Sequence, residues 1–289
     1  MASSILSAVL ALAGLGMILS LILGLAAKVF YVYVDPRIEH ISDVLPGANC
    51  GGCGYAGCAD YAEAIVNQNV SPNLCVAAGS EVTHSVCGIM GMSAEIGERN
   101  VARVFCQGSD DKAVKRFQYV GAEDCRAAIA ATGGDKACEY GCVGLGTCVR
   151  ACPFDAMHMD PDGLPVVDEV LCTGCGNCVT VCPRNLPQLV PVSQQTANLC
   201  SSQAGGKEVK AVCSVGCIAC KMCVKKCPVE AVSMDGRLAV VDPNKCTGHG
   251  VCVEKCPTGS MRFLHEQPDT ESTQPIPEAT QEAEATQAG

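Results

Sequence analysis

The segment Cys172-Thr-Gly-Cys175-Gly-Asn-Cys178-Val-Thr-Val-Cys182-Pro183 decides how the rest of this chain is read. Its C-x2-C-x2-C-x3-C-P spacing is that of iron–sulfur ligands: three close thiolates grip one cluster, and the cysteine before proline reaches across to a second. Two-residue spacers let three sulfurs converge, and Gly174 and Gly176 let the loop wrap tightly. A zinc knuckle also uses C-x2-C, but it accounts for neither the third cysteine nor the C-P ending.

Upstream lies Cys138-x3-Cys142-x5-Cys148-x3-Cys152-Pro153. Counted back from Cys152, the regular pattern wants a cysteine at 145, where this chain has Leu145, and Cys138 is the available substitute. The spacing therefore assigns one cluster to Cys138, Cys142, Cys148 and Cys182, and its neighbour to Cys152, Cys172, Cys175 and Cys178. Downstream the pattern recurs as Cys213-x3-Cys217-x2-Cys220-x2-Cys223-x3-Cys227-Pro228, then Cys246-x2-His249-x2-Cys252-x3-Cys256-Pro257. Aligned on the C-P pairs, Cys213 matches Cys138, the mark of an internal repeat. Cys217, Cys220, Cys223 and Cys256 form one set; Cys227, Cys246 and Cys252 form the other, with His249 in the slot of a fourth ligand. That slot leaves three states open: His ligation, a [3Fe-4S] cluster, or no cluster. The expected fold is a tandem of small α+β, bacterial ferredoxin-like 2[4Fe-4S] units over 131–192 and 207–265. Each should have a short helix at each C-P run and hairpins such as Ala156 to Val167. Residues 191–206, rich in Ser, Gln and Gly, read as a linker.

A separate domain is expected over 36–90. Leu45-Pro-Gly-Ala-Asn-Cys50-Gly-Gly-Cys53-Gly-Tyr-Ala-Gly-Cys58, with Cys75 beyond it, offers four ligands for one more cluster. Between Cys58 and Cys75, Ala59 to Asn69 reads as a helix with Ala62, Ile65 and Val66 on its apolar face. The connecting segment 91–130 contains a candidate strand, Val101 to Phe105, and a candidate helix, Asp124 to Ala131. Of 24 cysteines, the five expected clusters use 19. Cys87 sits in an apolar run and reads as a buried thiol. Cys106, Cys125, Cys200 and Cys213 are either buried thiols or the ligands of a sixth site.

The N-terminus is a different material. Met1 to Ala27 carries no charged side chain, and its apolar core from Ile5 to Ala27 is 23 residues long, where about 20 suffice to span a bilayer. With no basic start it reads as an uncleaved transmembrane anchor over 1–28 rather than a signal peptide. Lys28 and Arg37 follow the helix, so the positive-inside rule puts the remainder in the cytoplasm. Phe30, Tyr31 and Tyr33 suit the membrane interface. A reducing compartment also agrees with so many thiolates. Of the formal charge of −10, residues 266–289 contribute −6, and that acidic, Pro- and Gln-rich tail is expected to be disordered. No strongly basic domain or stacking aromatics indicate nucleic-acid binding. No G-x-G-x-x-G or G-x4-G-K-[ST] indicates a nucleotide or flavin, and no nucleophile–base pair marks a complete catalytic site.

The apolar N-terminal helix, the Pro-Gly-Ala-Asn-Cys-Gly-Gly-Cys-Gly-Tyr-Ala-Gly-Cys run and the ferredoxin repeats together resemble the B subunit of the Rnf complex, over about residues 1–265. That resemblance implies a component of a membrane-bound, Na⁺- or H⁺-translocating ferredoxin:NAD⁺ oxidoreductase in the cytoplasmic (inner) membrane. Electrons would pass from soluble ferredoxin through [4Fe-4S] clusters to other subunits that carry the NAD and flavin chemistry. Two further readings remain. One is a membrane-anchored polyferredoxin of an Rsx-type system that keeps a redox-sensing transcription regulator reduced. The other is a non-redox, metal-stabilised interaction module.

Overall fold

The computed structural model describes residues 2–30, 33–93 and 97–265. The acidic tail expected to be disordered, and Tyr31 of the expected interface belt, lie outside them. Two compact units divide at residues 96 and 97.

The first unit begins with helix α1, Ala2–Val29, of which Val9–Val29 has a mean hydropathy of 2.5. Three short helices follow: α2 (Pro36–Val44), α3 (Cys58–Gln68) and α4 (Ser80–Met90). Asp35 caps α2 by accepting the Arg37 amide at 2.9 Å, with Pro36 at the position where a missing N–H costs nothing. Asn69 and Gly91 close α3 and α4 in the left-handed conformation. Ile41, Leu45, Tyr61, Ala62, Ile65, Val66 and Val86 form the core between these helices. The expected apolar face of α3 is thus the buried one. Cys87 is buried on α4.

The second unit contains the repeat. In its first half, strand β1 (Asn100–Val104) pairs antiparallel with β4 (Pro187–Pro191), and β2 (Met157–Met159) with β3 (Pro165–Val167). Helices α5 (Cys125–Thr132), α6 (Thr147–Arg150) and α7 (Asn177–Val181) complete it. In the second half, β5 (Thr196–Asn198) pairs with β8 (Met261–Phe263) and β6 (Val232–Asp235) with β7 (Leu238–Val241), beside α8 (Gly206–Val212), α9 (Met222–Lys226) and α10 (Val251–Glu254).

The strand expected at Val101 to Phe105 and the helix at Asp124 to Ala131 are present within a residue. The stretch 191–206 is not a linker. Its Thr196–Asn198 is a strand with all three residues buried, because β8 needs a partner. Likewise β1, well before residue 131, pairs with β4 of the first half. Local composition could not show either pairing, because both join segments more than 60 residues apart. Three buried cysteines, Cys148, Cys172 and Cys178, belong to the apolar core of the first half; Cys217, Cys223 and Cys252 belong to that of the second.

Candidate metal centres

Cysteines gather at the walls of apolar cavities. Cys152, Cys172, Cys175 and Cys178 line one, together with Gly174 and Gly176. The cysteines lie on both sides of the β2–β3 hairpin and converge because that hairpin folds the two C-P runs together. Gly174 has φ +73°, and a Cβ there would lie 2.5 Å from the Asn100 carbonyl oxygen, so the loop passes against β1 where no side chain fits. The Ala102 amide of β1 donates to Cys172 Sγ at 3.4 Å.

The adjoining cavity is lined by Cys125, Cys142, Cys148 and Cys182. Spacing assigned Cys138 to this group; the fold places Cys125 there. Asp124 caps α5 through the Ala127 amide (2.9 Å) and accepts from the Thr147 hydroxyl (3.1 Å), while that hydroxyl accepts the Cys125 amide at 2.8 Å. These bonds fasten the start of α5 to the start of α6, where Cys148 stands. Arg126 donates to the Thr180 and Val181 carbonyls and holds α5 over α7.

Cys138 lines a different cavity, with Cys106, Cys200 and Cys213. The expected sixth group had Cys125 in place of Cys138, so the two cysteines exchange cavities. Cys217, Cys220, Cys223 and Cys256 line a fourth cavity, the grouping their spacing indicates. In the first unit Cys53, Cys58 and Cys75 pack against the helical core. The buried Tyr61 pins the returning loop: its hydroxyl donates to the Ser71 carbonyl (2.8 Å) and accepts the Leu74 amide (3.1 Å), which delivers Cys75. Asn49, beside Cys50, accepts the Cys58 amide at 2.8 Å. Cys227, Cys246 and Cys252 pack in the core of the second half. His249 is exposed and occupies the repeat position of Cys175.

Sequence reading missed the hydroxyls. Thr196 Oγ1 lies 3.4 Å from Cys246 Sγ and 3.8 Å from Cys252 Sγ, and Ser260 Oγ lies 3.3 Å from Cys256 Sγ. Only the β5–β8 pairing brings Thr196 there.

Burial dominates the electrostatics. It pushes the Cys142 and Cys178 thiols up to about 12, and Cys148, Cys200 and Cys223 to about 11, with neighbouring cysteines adding to the shift. Cys256 moves the other way: burial raises it, but the Ser260 and Thr258 hydroxyls with the Met261 and Thr258 amides together outweigh that. Thiols so placed give up their protons to a strong Lewis acid, not to water.

Do these groups suit an iron–sulfur cluster? Four cysteines line each of four cavities, and backbone amides point at sulfurs there and in the second half's core: Leu186 to Cys182 (3.5 Å), Cys142 to Cys106 (3.3 Å), Ala231 to Cys227 (3.3 Å). Among the described residues no three His, Cys, Asp or Glu side chains converge on one point. A tetrahedral zinc site brings its sulfurs within about 3.8 Å of one another; thiols spread around a cavity suit a core of several atoms instead. The residues fit.

Residues 137–186 and 216–260 match a family model described as a 4Fe-4S dicluster domain, and residues 45–77 match one for an Fe-S cluster. The chain is 44% identical over 263 residues, 91% of it and 100% of the relative, to the B subunit of the ion-translocating oxidoreductase complex of Methanosarcina acetivorans. It is 44% identical to the B subunit of the proton-translocating ferredoxin:NAD(+) oxidoreductase complex of Clostridium ljungdahlii, over 86% of this chain and 89% of that one. Identity is again 44% to the B subunit of the Na(+)-translocating ferredoxin:NAD(+) oxidoreductase complex of Acetobacterium woodii, over 84% and 73%.

Proposed function

Because this chain belongs to the B-subunit family of ion-translocating ferredoxin:NAD(+) oxidoreductase (Rnf) complexes, we propose that it is the electron wire of such a complex, with soluble ferredoxin as its donor. The observation that carries this reading is the succession of four-cysteine cavities through the second unit. A [4Fe-4S] cluster, when bound, supplies reversible one-electron chemistry. The chain's own residues do the rest. We assign Cys50, Cys53, Cys58 and Cys75 to the first cluster. Cys152, Cys172, Cys175 and Cys178 hold the second, and Cys125, Cys142, Cys148 and Cys182 the third. Cys217, Cys220, Cys223 and Cys256 hold the fourth, and Cys227, Cys246 and Cys252 with His249 the fifth. Apolar walls exclude water, and backbone amides aimed at sulfur stabilise the added negative charge.

Ferredoxin docks at the second half. Cys220 is exposed, and Lys221, Lys225 and Lys226 around it are exposed as well, an electropositive approach for an acidic donor. By contrast the span 151–183 has five acids and no Lys or Arg. Helix α1 anchors the chain, and Lys28 and Arg37 after it favour the cytoplasmic side for both units. Flavin, NAD and ion chemistry reside on partner subunits. Membranes with and without this chain, assayed for ferredoxin-dependent NAD⁺ reduction, test the reading. The expected result is loss of that activity alone, with NADH oxidation by artificial acceptors retained. Full activity without the chain would overturn it.

A further inference from the structure

The cavity lined by Cys106, Cys138, Cys200 and Cys213 lies outside the regular ferredoxin pattern, and its ligands come from both halves of the repeat. Cys106 follows β1 and Cys138 follows the insertion after it; Cys200 follows β5 and Cys213 closes α8. The insertion brings them together. The Val114 amide donates to the Val212 carbonyl (2.9 Å) and the Ser214 amide to the Lys112 carbonyl (3.0 Å) on one side. On the other, the Ala137 amide donates to the Val114 carbonyl (2.8 Å). Residues 112–116 are thus clamped between the segments that carry Cys138 and Cys213. Gln107, next to Cys106, donates to the Gly259 and Ser260 carbonyls and accepts from Arg262 at 2.9 Å, while Ser201 donates to the Phe105 carbonyl at 3.0 Å.

We propose that these four thiolates hold a further iron–sulfur cluster, which joins the two ferredoxin halves into one conductor. The inference rests on reading those halves as an electron relay. Two contacts give it its place. The amide of Cys142, a residue of the first half's cavity, donates to Cys106 Sγ at 3.3 Å. On the far side, Cys200 packs against the core of the second half, to which Cys217 of that half's cavity belongs. The site therefore adjoins a cluster group on each side. One electron enters it as the neighbouring cluster is oxidised by one, and leaves as the next is reduced by one; no bond breaks and no proton moves.

An independent observation is Lys136. Its side chain is 1% exposed, lines the same cavity, donates to the Gly108 carbonyl at 2.7 Å and reaches Asp110 only at 3.5 Å. Asp110 is half exposed and shared with Lys115 at 2.5 Å. A buried ammonium so weakly partnered is costly. Four thiolates around an iron–sulfur core leave the site net negative, and that charge adds a partner to the half-exposed, shared Asp110.

The test is iron and acid-labile sulfide analysis of the full chain, with EPR-monitored redox titration. Six clusters of four irons give about 24 Fe per chain against about 20 for five. Cys200→Ser with Cys213→Ser should remove about four Fe and one EPR-active centre, leaving the others. Lys136→Met should retain the iron and shift one midpoint to lower potential, a change that a merely structural lysine does not produce. Unaltered iron in the double variant, or zinc in place of iron at the site, overturns the proposal while leaving the five-cluster relay intact. If instead wild type and variant alike carry far fewer than about 20 Fe, the proposal and the relay reading both fail.

Discussion

At the scale of single residues, the two halves of the repeat differ in what touches sulfur. Ala102 pairs with Leu189 in the first half, and Thr196 pairs with Phe263 in the second. Thr196 therefore presents a hydroxyl to Cys246 and Cys252 where its counterpart presents a methyl. Four residues after the last cysteine, Ser260 meets Cys256 where the first half has the buried Leu186. A hydroxyl donated to a thiolate favours the more negative, reduced state. Thr196→Val and Ser260→Ala should each lower one cluster potential at unchanged iron content, read by EPR-monitored titration; unshifted midpoints would show the hydroxyls to be only structural. His249 is the second departure. If its imidazole is a ligand, His249→Cys keeps the iron count and lowers one potential, because an anionic thiolate replaces a neutral ring. If the site holds three irons, the substitution adds about one Fe and abolishes a [3Fe-4S] signal from the oxidised protein.

At the scale of elements, short pieces carry the cysteines and their stability comes from elsewhere. Helix α6 has four residues and α7 five, too short to persist alone. They are held by α5, by the hairpins and, in the holo-protein, by metal–sulfur bonds. Gly174 shows how close the elements approach. Gly174→Ala puts a Cβ against the Asn100 carbonyl and forces a side chain into a left-handed turn. The expected cost is about 1–3 kcal/mol, seen as earlier urea unfolding of the second unit and loss of iron from the Cys172 site.

At the scale of the whole molecule, charge is distributed by half. The span 207–262 has nine Lys or Arg against five acids, while 151–183 has five acids and no Lys or Arg. Reversing Lys221, Lys225 and Lys226 to Glu should slow ferredoxin oxidation several-fold at low ionic strength, with the difference shrinking as salt screens the encounter. A rate unchanged at every salt concentration would place the docking surface elsewhere. Helix α1 is long and apolar enough to cross a membrane.

What the sequence indicated by itself is local: a long apolar helix, from an uncharged run of sufficient length; the Fe-S cluster segment at 45–77, from its closely spaced cysteines; and the two 4Fe-4S dicluster regions, from the C-P runs. In these cases the ligands lie within a few turns of one another or are tied by a hairpin, so spacing encodes geometry. That Cys125, and not Cys138, lines the cavity of Cys142, Cys148 and Cys182 was decided only by tertiary structure. Both lie upstream of Cys142 at distances the motif does not specify. The choice falls to the cap of Asp124 on α5, its link to Thr147, and the clamping of residues 112–116 between the two halves. Thr196 and Lys136 follow the same rule: what each touches depends on a strand pairing or a burial that arises from residues far along the chain, and no local pattern records it.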